Sequence, residues 1–169
     1  MIENLWAGWR AAYVGNVERH TYTDGSGTLF ERILASGHPD SETYIVHRGE
    51  HAFVILNRFP YGTGHLLVLP NRGVPELENL SGDESAELWS CVNTAVRVLK
   101  AEYKPHGVNV GFNLGKAAGA GVPDHLHGHV LPRWSGDTNF TTSIAQIKVL
   151  PESLDSTWQR LTAAWELLH

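Results

Sequence analysis

Three features of the 169-residue sequence predict an α+β fold, an antiparallel sheet of about five strands with helices packed on it. Short β-rich runs follow one another in meander order with only turns between them. Amphipathic helical patterns are inserted after the third run and appended at the C-terminus. Two later stretches alternate residue character with the period of a strand. The length fits one domain spanning residues 1–169 and is short for two.

Leu5, Trp6, Trp9, Ala12 and Tyr13 have helical spacing, and Glu18 to Gly27 is polar and glycine-rich, as in a loop. Thr28 to Ser36 fits a short helix that buries Leu29, Phe30, Ile33 and Leu34, with Gly37 available as a left-handed stop. Thr43 to His47 and His51 to Asn57 form a hairpin across Arg48-Gly49-Glu50, and His65 to Leu69 follows as a third strand. Ser81 and Glu84 have the spacing of a capping box. The helix they open runs to about Tyr103, with Leu88 or Trp89, Val92, Val96 and Leu99 on its buried side, and Pro105 prevents continuation. Val108 to Leu114 alternates strictly, placing Val108, Val110, Phe112 and Leu114 on one face. A glycine- and alanine-rich connection, Gly115 to Pro123, leads into a strand over Pro123 to Pro132. Arg133 to Phe140 is a loop, Ile144 to Leu150 a short edge strand, and Pro151 starts a helix with Leu154, Trp158, Leu161, Trp165 and Leu168 on one stripe.

Composition removes several classes of function. With 42% hydrophobic and 18% charged residues the chain is globular, and no run approaches the roughly 18 apolar residues that cross a bilayer. Glu3 and Arg10 interrupt the N-terminal apolar pattern, unlike a secretory signal, so a cytoplasmic location is expected. The single cysteine, Cys91, has no internal disulfide partner and falls in a helical core pattern. A net charge of −5 argues against nucleic acid as a partner.

The stretch Pro123 to Pro132 places His125, His127 and His129 at alternate positions. On a strand these imidazoles form a row on one face, about 6 to 7 Å apart, with Leu126, Gly128 and Val130 behind them. One reading is metal binding, with Asp124 or His65 as a further ligand. The first and third histidines then stand about 13 Å apart, so convergence on one ion requires a bent strand. The other reading is nucleophilic catalysis, in which one neutral imidazole attacks an electrophilic phosphorus or carbonyl while its neighbours orient it.

The run His125-Leu126-His127-Gly128-His129-Val130-Leu131 resembles the signature of the histidine triad (HIT) family of nucleotidyl hydrolases and transferases. Phe53 to Arg58 with Pro60, and Gly64 to Pro70, are similar to the nucleotide-binding hairpin of its fragile-histidine-triad branch. Asn113 to Gly119 and Pro132 to Phe140 are similar to a bacterial branch containing diadenosine-tetraphosphate phosphorylases. The resemblance covers roughly residues 29–140, leaving terminal helical extensions, and implies a HIT-like fold. It implies that His127 is the nucleophile that forms a nucleotidyl-histidine intermediate, that His129 is its partner at the scissile phosphate, and that His125 supports the network. Asn57 matches a ribose-binding position, although a turn asparagine has the same appearance. Asn113 matches a phosphate contact. The loop holding Gly115, Lys116, Gly119 and Gly121 is expected to aim backbone N–H groups at phosphate oxygens, and Arg133, Trp134 and Asn139 to close the polyphosphate end, although a packing tryptophan would read the same way.

Relatives often hold a structural zinc with a Cys-x-x-Cys pair, a histidine after the third strand and the first triad histidine. The corresponding positions here are Thr28, Glu31 and Gly73, so no zinc and no resident cofactor are expected; magnesium can arrive with the substrate. Gly128 replaces a bulky apolar residue and is expected to loosen the strand. Gly121 replaces a hydroxyl or amide side chain near the leaving group. The implied activity is cleavage of dinucleoside polyphosphates such as diadenosine tetraphosphate. Inorganic phosphate is the acceptor in a phosphorylase and water in a hydrolase of dinucleoside polyphosphates or nucleoside phosphoramidates, and a non-catalytic nucleotide-binding protein is the alternative outside enzymes. The family's habit of pairing subunits implies a homodimer or higher homo-oligomer.

Overall fold

The computed structural model describes residues 25–138 and 150–169. The helical pattern at Leu5 to Tyr13, Asn139 and the edge strand expected from Ile144, apart from its end at Leu150, lie outside the described residues.

Helix α1 (Leu29–Leu34) and a single turn α2 (Asp40–Thr43) precede strands β1 (Ile45–Arg48), β2 (Ala52–Leu56) and β3 (Leu66–Pro70). Helix α3 (Gly82–Tyr103) is followed by β4 (Gly107–Phe112), β5 (Gly128–Arg133) and α4 (Leu154–Leu168). Thr43, expected to begin β1, ends α2 instead, and Tyr44 turns the chain into β1 with φ of 60°. The five strands are antiparallel, as expected for the α+β class, but their order is β1-β2-β3-β5-β4 rather than a meander. The last strand slots between β3 and β4. Its backbone is therefore bonded on both sides, and among the described residues β4 is the edge.

Helices α3 and α4 cover one face of the sheet. Val54, Leu56, Leu66, Val68 and Val130 meet Leu88, Val92, Val98 and Leu99 of α3, and Leu161 and Trp165 of α4, in one cluster. On the other face Phe30 of α1 joins Ile45, Phe53, Ile55, Leu67 and Leu69. Because both faces are covered, β2 and β3 are buried along their whole length, which is why they read as unbroken apolar runs. Strand β4 is covered only in part: Val108 and Phe112 pack against the helix-side cluster, while Val110 and Leu114, expected on the same buried face, are 43% and 38% exposed.

The capping box at the head of α3 forms as its spacing predicts. Glu84 N–H donates to Ser81 Oγ at 3.1 Å, and Ser81 N–H donates to Glu84 Oε2 at 2.8 Å. Arg72 beside Glu84 holds that carboxyl down to about 2. Of the two candidate core residues, Leu88 is buried and Trp89 exposed. Burial pushes the Cys91 thiol up to about 11, which suits an inert core residue. The stripe of α4 docks on α3 and on β1, where the Trp158 indole N–H donates to the Ile45 carbonyl at 2.8 Å. Its N-cap is Ser153, two residues after Pro151. Among the described residues no helix is long and apolar enough to cross a membrane.

Candidate active site: four linked histidines

The expected row of three histidines on one exposed strand face is not what forms. Only His129 lies in β5; His125 and His127 precede it in irregular chain and are buried. Hydrogen bonds to distant segments hold them there. Leu126 N–H donates to the Val74 carbonyl at 2.6 Å, and the His125 ring lies 2.9 Å from the Pro70 carbonyl. Phe30 of α1 packs edge-on to His125, with centroids 5.3 Å apart, and touches His127 at 5.8 Å.

Backbone groups decide which ring nitrogens carry protons. The Pro70 carbonyl only accepts, so His125 carries its proton on Nε2, and Nδ1 accepts from the Thr28 hydroxyl at 2.6 Å. The His125 carbonyl likewise requires a proton on His127 Nδ1, 2.8 Å away, which leaves His127 Nε2 with a bare lone pair. Burial, the largest influence on both rings, lowers their affinity for a second proton.

A fourth histidine, His65, fixes His129. Tyr61 N–H can only donate and reaches His65 Nδ1 at 3.0 Å; the Asn57 amide nitrogen donates to the same atom at 3.3 Å. His65 therefore carries its proton on Nε2 and donates it to His129 Nδ1 at 2.9 Å. The neutral His129 ring is left with its proton on Nε2. Rings His127 and His129 stand 5.2 Å apart and nearly perpendicular. The site thus presents a bare imidazole nitrogen beside an imidazole N–H. The sequence offers His65 as a metal ligand and as part of the Gly64 to Pro70 resemblance, not as the partner of His129; its position just before β3, beside the Asn57 turn, is the available signal.

The other expected site residues divide into near and far. Phe112 pairs with Gly128 at the end of the ladder, so Asn113 and His127 are the residues that leave β4 and enter β5 at that point. Gly111 pairs with His129, and a Cβ built on Gly111 meets nothing within 4 Å, so the sheet is open beside that ring. Asn57, 8% exposed, is engaged at both ends of its amide, since Oδ1 accepts from Phe59 N–H at 3.0 Å. In the loop, Gly115 and Gly119 adopt positive φ around a turn at Lys116–Ala118, while the Lys116 side chain and Gly121 are exposed. The amides of Ala118, Gly119 and Ala120 donate to the carbonyls of Gly115 and Lys116, so these three do not aim at a ligand as the cradle reading requires. Arg133 shares the face of His129 but lies four residues along β5, about 13 Å away by strand rise. It forms an ion pair with Asp137 at 2.7 Å and donates to Asn109 at 2.8 Å. Trp134 packs against Tyr103, and both line a cleft with Arg133, Glu152 and Arg160. Tyr61, stacked 5.6 Å from His129, joins that cleft to the histidines.

The expectation that Gly128 loosens the strand is overturned. The ring of its cross-strand partner Phe112 occupies the space, and a Cβ on Gly128 would sit 2.7 Å from two ring carbons. Trp89 packs against the same ring, with centroids 5.8 Å apart.

A zinc ion does not fit the residues at the positions where relatives often hold one. Gly73 has no side chain, the Glu31 carboxylate accepts the N–H groups of Thr28 and Gly73, and both ring nitrogens of His125 are engaged.

The HIT domain profile matches residues 38–136. The AP-4-A phosphorylase of Mycobacterium tuberculosis (strain ATCC 25618 / H37Rv) is 42% identical over 167 residues, covering 97% of this chain and 85% of the relative. The asymmetrical bis(5'-nucleosyl)-tetraphosphatase of Schizosaccharomyces pombe is 32% identical over 93 residues, 55% of this chain and 50% of that protein. Among solved structures, a Zn-bound histidine triad family protein from Mycobacterium smegmatis superposes with a TM-score of 0.68 at 24% identity, covering 83% of this chain and 94% of the other. With a profile match over more than half its residues and a 42% identical relative along nearly all of it, the chain belongs to the HIT domain family.

Proposed function

We propose that the protein is a nucleotidyl transferase acting on dinucleoside polyphosphates, with inorganic phosphate as acceptor. The observation that carries the reading is the pair of nitrogens set by backbone groups, a bare His127 Nε2 beside a protonated His129 Nε2. His127 Nε2 attacks the α-phosphorus of diadenosine tetraphosphate, forming a P–N bond as the P–O bond to the β-phosphate breaks. His129 Nε2–H hydrogen-bonds the departing oxygen while keeping its proton, a contact that Gly121 has no side chain to make, and ATP leaves with the charge on its terminal phosphate. Inorganic phosphate then attacks the adenylyl-histidine, and ADP is released with His127 restored. His125 acts through its carbonyl, which keeps the proton of His127 on Nδ1. Asn113 and Lys116 contact phosphate oxygens, with Gly115, Gly119 and Gly121 shaping the loop around them. Asn57 supports His65 and contacts ribose. Arg133 and Trp134 border the far end of the polyphosphate. The relative from M. tuberculosis supports phosphate as acceptor, and the one from S. pombe supports water, which would give AMP in place of ADP.

The reaction in this reading uses no resident cofactor and no structural zinc, and magnesium enters bound to the polyphosphate. The protein works in the cytoplasm without nucleic acid or membrane partners. It assembles as a homodimer or higher homo-oligomer; the open edge of β4, with Val110 and Leu114 exposed, supports pairing along that strand. Product analysis of diadenosine tetraphosphate with and without phosphate tests the reaction. ADP that appears only with phosphate supports phosphorolysis. AMP in both reactions assigns water as acceptor, and no cleavage of any dinucleoside polyphosphate overturns the enzymatic reading.

A further inference from the structure

Where a zinc set does not fit, the same four positions form a hydrogen-bonded clamp, and it is tied to the proposed nucleophile. Thr28 is the N-cap of α1 and Glu31 its third helical residue. Glu31 N–H donates to Thr28 Oγ1 at 3.3 Å, and Thr28 N–H returns to Glu31 Oε2 at 2.7 Å. The second carboxylate oxygen accepts Gly73 N–H at 2.8 Å. These two amides, that of Thr28 first, hold the Glu31 carboxyl below its ordinary value, so it is ionised at neutral pH. The cap lies directly on the Gly73 backbone, since a Cβ there would stand 2.6 Å from Thr28 Cγ2 and 2.8 Å from Glu31 Oε2.

Thr28 Oγ1 accepts a hydrogen bond from Glu31 N–H and donates one to His125 Nδ1, 97 residues away in sequence. His125 is thereby gripped from two sides, by the hydroxyl on Nδ1 and by the Pro70 carbonyl on Nε2. The next amide, Leu126 N–H, is held by Val74. With ring and following amide both fixed, the direction of the His125 carbonyl is fixed too, and that carbonyl keeps His127 Nε2 bare. We infer that Thr28, anchored by Glu31, is a positioning residue for the reaction: its hydroxyl fixes the orientation of the His125 ring, whose tautomer the Pro70 carbonyl sets, and through the His125 carbonyl it fixes the orientation of His127. Buried partners that orient a reactive imidazole typically contribute about 10- to 100-fold to activity.

The inference rests on the reading of His127 as nucleophile, so its test has one arm that needs no turnover. Thr28→Val keeps the shape of the side chain and removes the donor; Thr28→Ser restores the donor without the methyl group. Ring ¹⁵N NMR of the substrate-free protein reports the tautomers directly. The expected result is a single Nε2–H tautomer of His125 in the wild type and in Thr28→Ser. Thr28→Val keeps that tautomer, which the Pro70 carbonyl sets, but moves the His125 Nδ1 resonance as the lost hydrogen bond requires, and kcat falls by about 10- to 100-fold while KM changes by less than about threefold. Glu31→Gln, which offers one acceptor oxygen to two amides, lowers kcat in the same direction. An unchanged His125 Nδ1 resonance in Thr28→Val overturns the clamp, as does a loss in Thr28→Ser equal to that in Thr28→Val, which would make the threonine a packing residue. An unchanged kcat in Glu31→Gln removes Glu31 from it. If the wild type cleaves no dinucleoside polyphosphate, the proposed function fails while the NMR arm still decides on the clamp.

Discussion

Replacing Gly128 with valine probes how the sheet is packed behind the histidines. Two effects oppose each other. A residue with a side chain gives up less backbone freedom on folding than glycine, a gain of about 0.5–1 kcal/mol, and Gly128 does not have a positive φ that would strain it. Against this, the new Cβ falls 2.7 Å from two carbons of the Phe112 ring, where carbon atoms in contact ordinarily stand about 3.5–4.0 Å apart. The ring must retreat by about 1 Å toward Trp89, and overpacking of this kind costs about 1–3 kcal/mol. The steric effect wins, and Gly128→Val is expected to be about 1–2 kcal/mol less stable than the wild type. Urea denaturation reads this as a lower midpoint at unchanged slope. Phe112→Leu in the same background recovers part of the loss, so the two substitutions are coupled by about 0.5 kcal/mol or more. A Gly128→Val protein as stable as the wild type, or more so, would refute the reasoning, because the space behind the histidines would then be empty.

Two further outcomes follow from the hydrogen-bond network. His65→Leu frees His129 from its imposed tautomer and lowers kcat for diadenosine tetraphosphate by about 10- to 100-fold in steady-state assays, and an unchanged kcat would contradict it. Burial also makes His125, His127 and His47 bind protons less readily folded than unfolded. Stability is therefore fully present above the unfolded value of about 6.5 and falls below it, by up to about 1.4 kcal/mol per pH unit for each histidine until its folded value is reached. Urea midpoints from pH 7.5 to 5 measure this, and a flat profile would contradict it.

Much of the fold was legible because its signals are local. The Ser81–Glu84 box, the α4 stripe and the apolar runs of β2 and β3 each lie within a few turns of chain. Strand order was not, since the insertion of β5 between β3 and β4 depends on which face of each strand finds cover. The triad was legible as a motif but not as geometry. His125 is held by Thr28 and Pro70, and His129 by His65, at separations that no periodicity encodes. The same holds for Gly128, which reads as a defect along the chain and becomes a fitted position only when Phe112 pairs with it.

The central claim is that His127 Nε2 is the atom that becomes bonded to phosphorus. Rapid-quench mass spectrometry of the protein mixed with diadenosine tetraphosphate in the absence of phosphate tests it most directly. The account predicts one adenylyl group on His127, formed in step with ATP release, discharged as ADP when phosphate is added, and absent from His127→Ala. Release of ATP with no adduct, or an adduct on any other residue, would contradict it.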